Sequence, residues 1–167
     1  MTPATRELTE HNRALAEQMY GAIARGDIEG FLSFISPNVV VEEPDFLDYG
    51  GTYDGIDGLK TLFAKFATRF DLSGLDFERI VVDGNYVCAI CRAPVLGTNN
   101  SVVFIERVLI EADKVIGLRV YMYDLGGLLA VDRRRRSPGQ RAHFRSCFHA
   151  HIDRCVSGVI SAAIDVR

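Results

Sequence analysis

No apolar run in this sequence approaches the ~20 residues needed to cross a bilayer. The first residues, Met1 to Glu7, lack the apolar core of a secretory signal. A cytoplasmic location is therefore expected, and membrane attachment is not. Cysteine is scarce, with four in 167 residues, and without a secretion signal these are expected to be reduced thiols rather than a disulfide framework. The chain also lacks a phosphate-binding loop, a dinucleotide glycine fingerprint and a nucleophile elbow. No cofactor is expected.

What is present is ordinary for one globular domain: 48% hydrophobic residues and 25% charged. The net charge of -3 hides an asymmetry. Residues 1–132 carry 11 Lys and Arg against 20 Asp and Glu, a net -9, while residues 133–167 carry 8 Arg against 2 Asp, a net +6. The break falls at Arg133-Arg134-Arg135-Arg136-Ser137-Pro138-Gly139, which reads as a basic linker. Beyond it, Phe144, Cys147, Phe148, Ile152, Cys155, Val159, Ile160 and Ala163 recur at three and four residues, so an amphipathic helix over about 140–164 is expected. The acidic body argues against nucleic acid as a partner. Metal sites are not expected. Cys88 and Cys91 would face opposite sides of a strand, and His149 would leave the helix face that Cys147 and His151 share.

Within the body, Leu8, Leu15, Met19, Ala22 and Ile23 fall at helical spacing. Gly26 ends that helix, and Asp27 caps a second one with the apolar face Ile28, Phe31, Leu32 and Ile35, stopped by Ser36-Pro37. A strand from Val39 runs to Glu42-Glu43-Pro44, a loop covers Asp45 to Gly55, and Leu59, Leu62, Phe63, Phe66 and Phe70 mark a third helix. Four strands follow, over 75–82, 85–96, 101–111 and 114–124, with Asp83-Gly84 and Ala112-Asp113 at hairpin turns. Their short connections require an antiparallel meander. Helices segregated on one face of a curved antiparallel sheet make an α+β domain. Such a sheet leaves a conical cavity suited to a small molecule.

The junction Gly26-Asp27-Ile28-Glu29-Gly30 and the strand end Val39-Val40-Val41-Glu42-Glu43-Pro44 resemble the ketosteroid isomerase family, as does the helix entry Gly55-Ile56-Asp57-Gly58. Ile116 to Asp124 and the following Leu125-Gly126-Gly127-Leu128-Leu129 are similar to the last strand and exit of SnoaL-like polyketide cyclases. The resemblance implies the nuclear transport factor 2-like cone, an α+β roll occupying about residues 1–132, with 133–167 as an appended linker and helix. It also implies a homodimer formed through the outer sheet face.

The resemblance carries roles with it. The acid before the strand-end proline, here Glu43, matches the isomerases' catalytic base. Glu106 is the nearest match to their second acid, held protonated to donate to the developing enolate, a division of labour that general treatments of pKa tuning illustrate with that enzyme. Asp124 matches the acid/base of the cyclases. The isomerases' oxyanion-hole tyrosine falls at Met19, and Tyr20 beside it is expected about 100° away round the helix.

The residues themselves support part of this. Glu43 shares strand parity with Val39 and Val41, and desolvation in a cavity raises a carboxyl's proton affinity. Glu106 is the lone acid in the row Val102, Phe104, Val108, Ile110, and must be paired, with Arg92 or Arg119, or protonated. Asp124 ends the row Ile116, Leu118, Val120, Met122. Met19, Tyr20, Phe31, Phe46, Tyr53, Phe63, Phe104 and Met122 are candidate pocket-lining residues. The expected ligand is a small apolar molecule. The expected function is isomerisation or cyclisation begun by removing a proton next to a carbonyl. Two alternatives stand beside it. One is a non-catalytic ligand-binding or dimerisation module. The other is an epoxide hydrolase of the limonene-epoxide type, which needs an Arg and an Asp two apart on a late strand, a pair the last three strands lack.

Overall fold

The structure, a computed structural model, describes residues 2–123. Asp124, the basic linker and the expected C-terminal helix lie outside the described residues.

Helix α1 spans Pro3–Ala24. Thr2 caps it by accepting from the Thr5 amide, and Pro3 occupies the first turn, where a missing N–H costs nothing. Gly26, at φ 71°, turns the chain, and Asp27 caps helix α2, Ile28–Ser33, by accepting from the Gly30 amide at 2.8 Å. Strand β1 is Ile35–Glu43, β2 is Gly51–Asp54, and helix α3 is Gly55–Phe66. Strands β3 (Asp76–Asp83), β4 (Tyr86–Pro94), β5 (Ser101–Glu111) and β6 (Lys114–Met122) complete the described chain.

The sheet order is β2-β1-β6-β5-β4-β3. Strands β3 to β6 form the antiparallel meander required by their short turns. Strand β1 then pairs parallel to β6 and antiparallel to β2, so the sheet is mixed. Irregularities in β1, β3 and β5 shift the register and bend the sheet. The outermost strands do not pair with each other, leaving an open, curved sheet with α1 against β3 and β4 and α3 against β1 and β2. This is the expected α+β cone.

The inner face is the core. Val39, Val41, Val87, Val102, Val108 and Val115 are almost fully buried there, and β4 alternates buried and exposed residue by residue at most positions. Two buried polar side chains of α1 fasten the β3–β4 turn. Asn12 donates to the Gly84 carbonyl and Thr9 accepts from the Gly84 amide, each at 2.9 Å. Both are therefore satisfied, which a buried polar group requires.

Several boundaries differ from the sequence reading. Ile35 does not end α2 but starts β1, and Ser36-Pro37 lies within that strand. The expected loop over 45–55 contains strand β2, whose four residues are too few to show a period. Helix α3 stops at Phe66, and Phe70 instead bridges to Val95. Leu8, placed on the buried stripe of α1, is 42% exposed.

Candidate functional site

The end of β1 points its side chains alternately in and out. Glu43 is 7% exposed and Glu42 turns to the outer face, as their parity requires. The β1–β6 register sets Glu42 level with Arg119, so one residue further Glu43 stands level with Val120. Val120 in turn faces Glu106 across the β6–β5 pair. The two acids are thus on one face and one row, two strand spacings apart, on the order of 10 Å at the backbone. The charge of Glu106 bears on the Glu43 carboxyl across that gap.

Helix α1 supplies the third member. Tyr20 is 2% exposed, and its hydroxyl donates to Glu106 Oε2 at 3.0 Å. The expectation that Tyr20 points away is therefore corrected. The buried stripe of α1 includes Asn12, Leu15, Ala16, Met19 and Tyr20, wide enough to hold both Met19 and Tyr20. Tyr20 follows Ala16 by four residues, and that spacing was the available signal. The ring of Tyr20 packs on Phe77, centroids 4.5 Å apart, which orients its hydroxyl. The arginines expected as partners of Glu106 are engaged elsewhere: Arg92 with Glu78, and Arg119 with Glu42.

Burial dominates the electrostatics. It lifts the Glu43 carboxyl up to about 8, with the Glu106 charge adding to the effect. It lifts Glu106 up to about 7, and the hydrogen bond from Tyr20 works in the opposite direction. The Tyr20 phenol is raised well above its ordinary value by burial first and the Glu106 charge second. Because the charge of Glu106 raises Glu43, the two titrations are linked. Of the two, Glu106 is the one whose anion is supported, since a donor faces it. Glu43 Oε2 is buried without a partner among the described residues. The hydrogen bond from Tyr20 thus distinguishes the two acids, giving Glu106 a fixed donor.

The remaining candidates divide. Met19, Phe31, Tyr53 and Phe104 are buried. Phe63 meets Phe31 at 5.5 Å, and Met122 pairs with Phe104 across β5–β6, so both belong to the inner side. Phe46 does not join them: it is 66% exposed on the loop after β1. Cys91 is buried with its thiol pushed up by burial and then by Glu106, whereas Cys88 faces out. Tyr49, whose loop shows no periodicity to place it, is also buried here.

An apolar concave face carrying two coupled acids and a phenol suits proton transfer on a small molecule. A family model described as a SnoaL-like domain matches residues 16–157. This chain belongs to the SnoaL-like domain family. Its fold is shared by solved structures of low identity. A nuclear transport factor 2-like protein from Burkholderia xenovorans is 21% identical, covers 73% of this chain and 96% of its own, and superposes with a TM-score of 0.60. TerC, co-crystallised with polyporic acid, is 22% identical over 75% of this chain and 98% of its own, TM-score 0.61. A steroid delta-isomerase from Pseudomonas aeruginosa is 22% identical over 74% and 89%, TM-score 0.57. No curated protein matches. Among the described residues of this SnoaL-like chain, no helix is long and apolar enough to cross a membrane.

Proposed function

We propose that the inner face of this SnoaL-like domain binds an apolar carbonyl compound and moves a proton at the adjacent carbon. The observation that carries the reading is the Tyr20–Glu106 hydrogen bond on the same row as buried Glu43, whose Oε2 has no partner among the described residues. Glu106, ionised and oriented by Tyr20, takes the C–H proton. The electron pair moves onto the carbonyl oxygen, where protonated Glu43 donates. Return of the proton to a different carbon is isomerisation, and attack of the enolate on a second carbonyl is cyclisation. Polyporic acid beside TerC and the steroid delta-isomerase are consistent with ligands of this kind.

The test is exchange of the α-protons of 1-tetralone, an apolar ketone, in deuterated water by proton NMR. The wild type accelerates exchange over buffer. Glu106→Gln lowers the acceleration about 10³-fold, by loss of the base. Glu43→Gln keeps an amide donor and loses only about 10- to 100-fold. If Glu43→Gln is the more damaging change, the roles are those the resemblance implies. If the wild type does nothing above buffer, with this ketone and with bulkier apolar ketones, the domain is a non-catalytic binding module.

The outer sheet face fits a second copy of this chain. Val40, Val81, Tyr86, Ile105 and Tyr121 are each 36–53% exposed there. Arg107 and Arg119 face each other across β5–β6, and the Arg107 Nε has no partner among the described residues. Opposed like charges gain from an acid such as Glu42 of a second copy, and a two-fold contact supplies one to each side. A dimer mass in solution that Ile105→Glu halves is the expected result, and a monomeric wild type removes the reading.

A further inference from the structure

Tyr49 sits on the loop between β1 and β2. It is 3% exposed, yet its hydroxyl has no partner among the described residues. Everything else about it is fastened. Its ring meets Phe66 and Phe70 edge-on at 6.1 and 6.2 Å, and Phe66 in turn meets Phe104 of the inner face. Its carbonyl accepts from the Tyr53 hydroxyl at 2.5 Å, and Lys65 donates to that same hydroxyl at 3.1 Å. The neighbouring Asp48 is ion-paired with Arg69. On the other side Gly50 closes the loop by donating to the Leu47 carbonyl, and a Cβ there would run into the Pro44 backbone.

A tyrosine used for packing alone gains by becoming phenylalanine, because a buried hydroxyl without a partner costs stability. Here a second unpartnered atom belongs to the same place. Glu43 Oε2 is buried without a partner among the described residues, on the residue before the proline that opens this loop. The charge of Glu43 is felt at the Tyr49 phenol, which burial already lifts far above its ordinary value. The β1–β2 pairing sets Glu43 opposite Gly51, two residues after Tyr49, so two polar groups without a hydrogen-bond partner among the described residues lie at the same end of β1.

We infer that Tyr49 is a ligand-binding residue: its hydroxyl and the Glu43 carboxyl together receive one oxygen, carbonyl or hydroxyl, of an apolar ligand. The inference rests on the inner face being the ligand site. In the proposed reaction that oxygen is the carbonyl oxygen, and Tyr49 is the second donor beside Glu43.

Binding of 2-naphthol against 2-methylnaphthalene, two probes of nearly equal shape, tests it without requiring any turnover. The wild type binds 2-naphthol about tenfold tighter. Tyr49→Phe weakens 2-naphthol about tenfold and leaves 2-methylnaphthalene within about twofold, while the ligand-free Tm stays level or rises. Equal affinity of Tyr49→Phe and wild type for 2-naphthol overturns the inference. So does an equal loss for both probes, a Tm that falls by several degrees, or a wild type that binds no 2-naphthol. A protein that discriminates the probes through Tyr49 but exchanges no α-protons keeps this site and loses the proposed reaction, so the two failures are distinct.

Discussion

Glu42 and Glu43 are consecutive residues of one strand, yet they sit on opposite faces of one sheet. Glu42 meets the Arg119 guanidinium at 2.5 and 2.7 Å on the outer face, and that hydrogen bond holds its carboxyl below the ordinary value. Glu43 is buried, has no ion pair among the described residues and feels the charge of Glu106, and is lifted to about 8. The same side chain becomes a charged surface group or a buried proton reservoir according to strand parity alone. The comparison extends along the rows. Outside, Cys88, Arg107, Arg119 and Glu42 follow one another across four strands. Inside, the row contains Ala89, Glu106 and Val120, and Glu43 follows one strand further on.

The comparison breaks most sharply in the exchange reaction. The inner Glu106→Gln loses about 10³-fold, whereas the outer Glu42→Gln stays within about twofold, as expected for a group that touches no ligand. A large loss from Glu42→Gln would mean that the outer face shares in the chemistry.

Stability against pH separates the two faces next. A carboxyl whose folded pKa is raised stabilises fully below its unfolded value and loses that contribution as pH climbs through the folded value. For Glu43 the window runs from about 4.5 to about 8. The wild-type Tm therefore falls across that window. Glu43→Gln removes the buried charge and raises Tm at pH 9 by about 5–10 °C, while changing little at pH 5. A Glu43→Gln melting profile parallel to that of the wild type would show that Glu43 is well solvated.

A smaller effect isolates the tyrosine. Its hydrogen bond lowers the Glu106 value, so Tyr20→Phe lets that value rise. Exchange should follow a narrow bell between about 7 and about 8, the limbs belonging to the pair. Tyr20→Phe moves the acid limb to higher pH and leaves the far side of the bell in place. A uniformly lower bell with both limbs unmoved would assign Tyr20 a packing role. The smallest effect is on the outer face. The Glu42 carboxyl is depressed, so its contribution is present above its unfolded value and is lost as pH falls. Glu42→Gln thus lowers Tm slightly at pH 7 and not at pH 3, the opposite slope from Glu43→Gln, and small because the pair is solvated.

Much of this was readable in advance, for a physical reason. Alternation along a strand and recurrence along a helix are local patterns, so Val39, Val41 and Glu43 announced a common face and Leu59 and Leu62 a helix. The turns at Asp83-Gly84 and Ala112-Asp113 were equally local: Gly84, Ala112 and Asp113 all take the positive φ that such turns use. The short connections then left only an antiparallel meander.

Other features depend on residues far apart in the chain. The parallel β1–β6 pair brings residue 42 beside residue 119, and nothing local encodes that meeting. The partner of Glu106 proved to be Tyr20, 86 residues away, rather than either arginine weighed from strand patterns. Tyr49 became a buried hydroxyl with no partner among the described residues because Tyr53, Lys65, Phe66 and Phe70 close around its loop. Burial and pairing are sums over neighbours from the whole fold. Strand parity could therefore say that Glu43 faces inward, while only the assembled sheet and helices decided how strongly its proton is held and which acid shares its row.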